Sequence, residues 1–285
     1  MLRKLFAALL CAALVCSFTL AEDAGAPNAT PAVDRPLREI IDTSAESASE
    51  PVETKPYVPE TLDRVIVGAD ERITVNEPGV YPYSAIAYMV VQARCGCDWV
   101  CSGFMVGPRG LITGAHCLVC TTHHQSAERI TFYFGYKSSR NYLYKYNGST
   151  QYWYGTDFSD NPWDDNEWDY GYVLLDERVG DRTGWLGVST LSDSDLTTKY
   201  LTVAGYRDGT LKYDCGFADV VSANVISYTA DTLPGNSGGP VFFYTADDIY
   251  ATAINVASSD TLQKNYARRI NNWLFDDMRS NGLFD

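Results

Sequence analysis

Histidine is scarce in this chain of 285 residues: there are three, His116, His123 and His124, and none lies beyond residue 124. Any chemistry that needs an imidazole must draw on these three. Basic runs are missing too. With a formal net charge of −14 and no cluster of Lys or Arg, the chain offers nothing for a phosphate backbone, which excludes nucleic acid as a partner. No repeat with a period of roughly 20–50 residues occurs, which excludes solenoids and propellers.

What is present is globular in character: 46% of residues are hydrophobic and 13% aromatic, enough for a sizeable core. Residues 1–21 stand apart from it. MLRK is a positive start, LFAALLCAALVCSFTL an apolar run, and Thr19-Leu20-Ala21 a small-residue site of the kind signal peptidase cleaves. The run is too short and wrongly flanked for a stable membrane anchor. Leu10 and Val15 precede Cys11 and Cys16 where lipid attachment needs a small residue. The expectation is a secreted, extracellular protein.

Residues 22–64 hold six of the twelve prolines and ten acids against four bases, with only scattered large apolar residues. Such a stretch cannot bury enough surface to offset its ordering entropy. It reads as a pro-segment or disordered linker ending at Arg64, with processing there releasing Val65 as a new N-terminus; an ordinary linker running into a strand is the alternative.

Beyond residue 82 the chain is a succession of short β-type runs, among them SAIAYMVVQA, SGFMV, GLITG, YGYVLL, YLTVAGY and GPVFFY. In RITFYFGY, Ile130, Phe132 and Phe134 alternate with Thr131 and Tyr133, the period of a half-buried strand. Many short strands and few helical patterns mean an all-β sandwich or barrel. One helix is predicted, in TLQKNYARRINNWLFDDMRSNG, where Leu262, Tyr266, Ile270, Trp273 and Leu274 recur at helical spacing. Asp260 or Thr261 is its N-cap and Gly282 its stop.

Removing Cys11 and Cys16 with the leader leaves Cys95, Cys97, Cys101, Cys117, Cys120 and Cys215. In an oxidising compartment disulfides are the default. A zinc site is the competing reading, because CGC at 95–97, C-x-x-C at 117–120 and His123-His124 bring thiols and imidazoles close together. The disulfide reading leads, so no metal and no cofactor is assigned. The acidic loop DFSDNPWDDNE, with Asp164, Asp165 and Glu167, reads as a solvated turn; it lacks EF-hand spacing for calcium.

The stretch with the sharpest chemical content is DTLPGNSGGPVF at 231–242. Ser237 lies between glycines, and GNSGG also fits the G-x-S-x-G turn of α/β-hydrolases. That fold needs its histidine after the serine, and none follows. The order His, Asp, Ser is available. GLITGAHC sets His116 at the end of an apolar strand among small residues, and Asp169 opens the strand of WDYGYVLLD. A bridge between Cys101 and Cys117 would staple the turn that holds His116, worth about 3 kcal/mol by the chain-entropy account.

At these three stations the chain resembles the chymotrypsin-like serine peptidases: TGAHC, the strand DYGYVLL and GNSGGP occur in that family's order, over about residues 65–280. The start VIVGADERITV, the DYG variant, Asn236 before the serine and GDRTGWLGVSTLSDSDLTTKYLTVAGYRDG look closer to the secreted glutamyl endopeptidases than to trypsin. The resemblance implies two six-stranded antiparallel barrels within 65–285, divided near residue 185, plus the C-terminal helix. It implies His116, Asp169 and Ser237 as a triad, an oxyanion hole from the Gly235 and Ser237 N–H groups, and protein or peptide substrates cleaved by a monomer. Trypsin-type activation pairs the new N-terminus with an aspartate where this chain has Asn236, so Val65 inherits instead the glutamyl branch's contact with a substrate carboxylate.

Specificity stays open in the sequence. Asp231 stands six residues before Ser237, a trypsin-like spacing that would favour Arg or Lys, whereas Thr232 matches the carboxylate-binding hydroxyl of the glutamyl branch. Asn255 occupies the place of that branch's carboxylate-binding histidine; it can hydrogen-bond a carboxylate but brings no charge. Acidic preference ranks ahead of basic, and a non-catalytic binding module of the same fold is the third alternative.

Overall fold

The computed structural model describes residues 41–43, 66, 69–148, 150–155, 166–246 and 248–285. The leader 1–21, most of 22–64, Val65, Asp164 and Asp165 lie outside the described residues.

Among the described residues, eighteen strands make two sheets. In chain order they are β1 (Ile41–Thr43), β2 (Ile73–Thr74), β3 (Ile86–Ala93), β4 (Asp98–Met105), β5 (Gly110–Thr113), β6 (Val119–Cys120), β7 (Gln125–Phe134), β8 (Tyr144–Tyr146), β9 (Thr150–Tyr154), β10 (Gly171–Leu175), β11 (Gly187–Val188), β12 (Leu201–Arg207), β13 (Thr210–Gly216), β14 (Ala218–Val220), β15 (Val225–Tyr228), β16 (Pro240–Tyr244), β17 (Ile249–Ser259) and β18 (Lys264–Arg269). The first sheet runs β1-β9-β10-β5-β4-β3-β7-β6 with β8 on β7; the second runs β14-β15-β18-β17-β16-β12-β13-β2 with β11 on β17. Every pairing is antiparallel except β11 with β17. The two antiparallel sheets bear out the all-β class expected; with the two- and three-residue strands included, each has nine strands among the described residues.

The alternation in β7 does what its period requires: Ile130, Phe132 and Phe134 are buried, and Thr131 and Tyr133 are half-exposed. In the second sheet Leu201, Val203, Ile226, Val241, Phe243 and Ala253 form one core cluster. The first sheet closes its chain run at Leu175 and the second resumes it at Gly187. Two short helices lie in and after this link, α1 (Gly180–Thr183) and α2 (Asp193–Thr198).

Two elements differ from the sequence reading. The predicted C-terminal helix is half strand: residues 264–269 form β18, which pairs with β15 on one side and β17 on the other. Only α3 (Asn272–Ser280) is helical, capped by Asn271, whose Oδ1 accepts from Leu274 N at 3.0 Å. Pairing with a strand on each side gives the main chain of β18 its hydrogen-bond partners, and that outweighs the local helical spacing. Leu262, predicted on the helix stripe, is exposed in the turn before β18.

The second difference is β1. It falls inside the stretch expected to be a pro-segment or linker, and it pairs with β9 in the register Ile41↔Tyr152, Asp42↔Gln151, Thr43↔Thr150. Without it β9 would be a bare sheet edge, and pairing with an edge asks for main-chain groups rather than an apolar sequence. Among the described residues, no helix is long and apolar enough to cross a membrane.

Candidate active site

β5 and β10 lie side by side with Gly171 opposite Thr113. This register brings the residues just after β5 level with those just before β10, at one end of the sheet. After Gly114 the chain makes a single 3-10 turn, Ala115–Cys117, which carries His116. Across from it Asp169, fully buried, accepts from the His116 main-chain N at 3.1 Å and faces His116 Nδ1 at 2.7 Å. A carboxylate only accepts, so Nδ1 carries the proton and Nε2 is the position left to act as a base. Helix α3 backs this corner: the Trp273 ring meets those of Trp168 and Tyr170 at 6.2 and 5.9 Å.

Burial disfavours the charged imidazole, but the Asp169 carboxylate and the Cys117 sulfur outweigh it, and the pKa of His116 is pushed up to about 10. Cys117 Sγ sits 3.7 Å from His116 Nε2. Its thiol is pushed down: burial opposes ionisation, and contacts from Cys101 and the charge on His116 overcome that opposition.

Ser237 lies in the loop entering β16 and is 5% exposed. Its neighbours are tied on every side. Asn236 N donates to Leu233 O, and Asn236 Oδ1 accepts from Leu233 N at 2.8 Å. Asn236 Nδ2 donates to Tyr206 O at 3.1 Å. From β17, Asn255 O accepts from Gly238 N at 2.8 Å and Asn255 Nδ2 donates to Asn236 O at 3.0 Å. From β4, Ser102 N donates to Ser237 O at 2.7 Å, and Ser102 Oγ donates to Gly235 O at 2.9 Å while accepting from Tyr206 N at 2.8 Å.

Gly235 has φ +95°, a conformation in which a side chain is strained, and a Cβ there would stand 2.8 Å from Tyr206 O. Among the described residues, neither the Gly235 nor the Ser237 N–H is taken by another group. His116, Gly235 and Ser237 line one cavity, together with Trp99, Arg207 and Pro234.

The residues predicted to read the substrate behave differently. Asp231, Thr232 and Asn255 are all buried, and none lines that cavity. Asp231 Oδ2 accepts from Glu71 N at 2.9 Å, and Asp231 N donates to Asp214 Oδ2 at 2.7 Å. Thr232 Oγ1 donates to Asn265 Oδ1 at 2.8 Å. Asn255 Oδ1 accepts from Tyr228 Oη at 2.7 Å, so both ends of its amide are used inside the protein.

Cys101 and Cys117, the pair expected to be bridged, lie with both sulfurs within 4.8 Å of each other and of a His116 ring nitrogen. The fold supplies the proximity; the covalent bond is an oxidation step of its own. Sequence reasoning also missed Ser102, an unremarkable polar residue inside SGFMV whose contacts with Gly235, Tyr206 and Ser237 exist only across two sheets.

Residues 101–247, just over half of the chain, match the trypsin-like peptidase domain family. The chain is 29% identical over 181 residues to a glutamyl endopeptidase of Bacillus licheniformis, covering 62% of this chain and 54% of that protein. It spans, then, about half the length of that relative. An extracellular metalloprotease of Bacillus subtilis is 26% identical over 219 residues, 75% of this chain and 68% of that one. Among solved structures, a Glu endopeptidase in complex with MPD superposes with a TM-score of 0.62 at 20% identity, covering 76% of this chain and 99% of that one. The protease Anisep of Arthrobacter nicotinovorans superposes at 0.57 and 17% identity, over 73% and 98%. The fold, the paired His116 and Asp169, the cavity that Ser237 shares with His116 and the family match converge: this chain belongs to the trypsin-like peptidase family.

Proposed function

We propose that the protein is a secreted serine endopeptidase that uses His116, Asp169 and Ser237 as its triad. The observation that carries this reading is the 2.7 Å contact of His116 Nδ1 with buried Asp169, beside a cavity lined by His116 and Ser237. His116 Nε2 takes the Ser237 proton as Oγ attacks the peptide carbonyl, and the Gly235 and Ser237 N–H groups receive the developing oxyanion. The imidazolium then returns its proton to the leaving amine, and water, activated by the same Nε2, releases the acyl group from Ser237. Asp169 holds the ring in the tautomer that presents Nε2.

Processing after Arg64 and a division into two units near residue 185 complete the proposed organisation. An acidic residue before the scissile bond is the favoured preference, supported by the relatives named glutamyl endopeptidase. Basic preference would need Asp231 in the pocket, and its carboxylate is engaged by Glu71 N instead.

A fluorophosphonate probe tests the chemistry. The processed protein is expected to be labelled and Ser237→Ala not; equal labelling of both would overturn the reading. Substitution of Ser237 or His116 by Ala is expected to lower turnover by about a million-fold, by analogy with another serine protease. Cleavage of a peptide library tests the preference, and a preponderance of Arg or Lys before the cut would reverse it.

A further inference from the structure

A second cluster of reactive side chains lies at the rim of the same cavity and takes no part in the peptidase chemistry. Cys95, Cys97, Cys120 and His123 bring three thiol sulfurs and an imidazole nitrogen together, each within 4.8 Å of all the others. Two local turns make this convergence. In the β3–β4 hairpin, Gly96 at φ +82° lets the chain reverse tightly, with Gly96 N donating to Ala93 O and Ala93 N to Cys97 O, both at 2.9 Å. The two cysteines flanking it then face one point. After β6, His124 N donates to Cys120 O at 2.8 Å, a one-turn closure that sets His123 over Cys120. His123 Nδ1 stands 3.3 Å from Cys97 Sγ and 3.6 Å from Cys120 Sγ.

We infer that these four residues form a structural zinc site that pins the β3–β4 turn to the 120–124 turn. A tetrahedral zinc with Zn–S bonds of about 2.3 Å and Zn–N bonds of about 2.0 Å puts neighbouring ligand atoms roughly 3.5–3.8 Å apart. Of the observed sulfur–nitrogen spacings, 3.6 Å falls within that range and 3.3 Å just below it. A disulfide would need one sulfur pair to close to about 2.05 Å and would strand the third thiol. The remaining cysteines cannot make up the number: Cys101 and Cys117 lie together beside His116, and Cys215 is buried in the second sheet against Thr202.

Thiolate and imidazole donors suit zinc rather than calcium or magnesium. Four protein ligands fill the tetrahedron, so the metal has no open position for a catalytic water; binding displaces the three thiol protons. Cys120 is buried and Cys97 half-buried, whereas Cys95 and His123 are exposed, which leaves a way in from solvent. Cys97 and Cys120 also line the cavity that holds His116 and Ser237. The ion would thus fix one wall of the substrate cleft. This inference stands apart from the peptidase reading, because metal content is measured without a substrate.

The test is metal analysis of the full-length protein produced with zinc present and the thiols protected. One zinc per chain is expected to persist through gel filtration, to be lost in the Cys97→Ser, Cys120→Ser double variant and to remain in Cys215→Ser. Because the double variant could fail to fold, cobalt is also titrated into chelator-stripped wild-type protein, where intense visible bands and thiolate-to-metal charge transfer are expected. Absence of stoichiometric zinc with no such cobalt spectrum would sink the proposal. So would zinc retained by the double variant, or a mapped disulfide joining Cys120 to Cys95 or Cys97.

Discussion

The position of His116 between Asp169 and Cys117 sets how the site responds to pH. Burial works against the imidazolium, and the two anionic neighbours more than compensate, leaving the group at about 10 against about 6.5 unfolded. A folded pKa above the unfolded one contributes stability that is full below about 6.5 and is lost as pH rises through about 10. The proposed catalysis has the opposite need, since only the neutral ring would accept the Ser237 proton. The kcat/KM profile is therefore expected to climb toward alkaline pH, and oxidation of Cys101 with Cys117 to move that limb to lower pH. Asp169→Asn should lower kcat by about 10⁴-fold, the cost of the wrong tautomer in a related triad. A profile flat between pH 6 and 10 would contradict this account of the base. Ser102 offers a second residue-scale check. Ser102→Ala leaves Gly235 O and Tyr206 N without their partner, at about 1–3 kcal/mol for such a group. Steady-state kinetics are expected to show kcat reduced by about 10–100-fold with KM little changed, the signature of a displaced oxyanion donor.

Among the elements, α3 is where local pattern and tertiary context part. Its own nine residues keep the spacing predicted for them, and Leu274 and Met278 are fully buried. The six residues of β18, two positions upstream, fall within the same predicted helix but complete the second sheet between β15 and β17. Period alone could not separate these outcomes, because the decisive groups are main-chain N–H and C=O on two strands distant in sequence. Asn271→Ala removes the cap and is expected to cost about 1 kcal/mol, whereas Leu274→Ala should cost about 2–5 kcal/mol. Denaturant melts compare the two directly, and an equal effect would argue against a helix held by its buried face. The strands fared differently: β3, β5, β7, β10, β12 and β16 were legible because their side chains alternate or run apolar. Three-residue β8 is too short to show a period, whereas β13 does alternate, with Leu211, Tyr213 and Cys215 buried between Lys212 and Asp214.

Across the whole molecule, the segment that follows the expected processing point lies over the loop that carries Ser237. Glu71 N bonds Asp231, Arg72 Nη1 reaches Asn236 Oδ1 at 3.5 Å, and β2 pairs with β13. Asp231 thereby works as an anchor for the N-terminal segment. Asp231→Ala is expected to lower the melting temperature by several degrees, for a lost buried acceptor of about 1–3 kcal/mol, and to leave the order of peptide preferences unchanged. A switch in preference would restore Asp231 as a reader of substrate.

The sequence by itself determined the all-β class, the family and the candidates His116, Asp169 and Ser237, because each announces itself locally: alternation follows the strand period, and a serine without a later histidine permits one order of partners. Only the tertiary structure decided what surrounds them. Whether Asn255 faces substrate or the Asn236 carbonyl, whether Ser102 matters, and which cysteines converge with His123 all depend on register between strands far apart in the chain. A residue's spacing tells what chemistry it can do, and the packing of other segments against it decides which of those options its polar atoms have left.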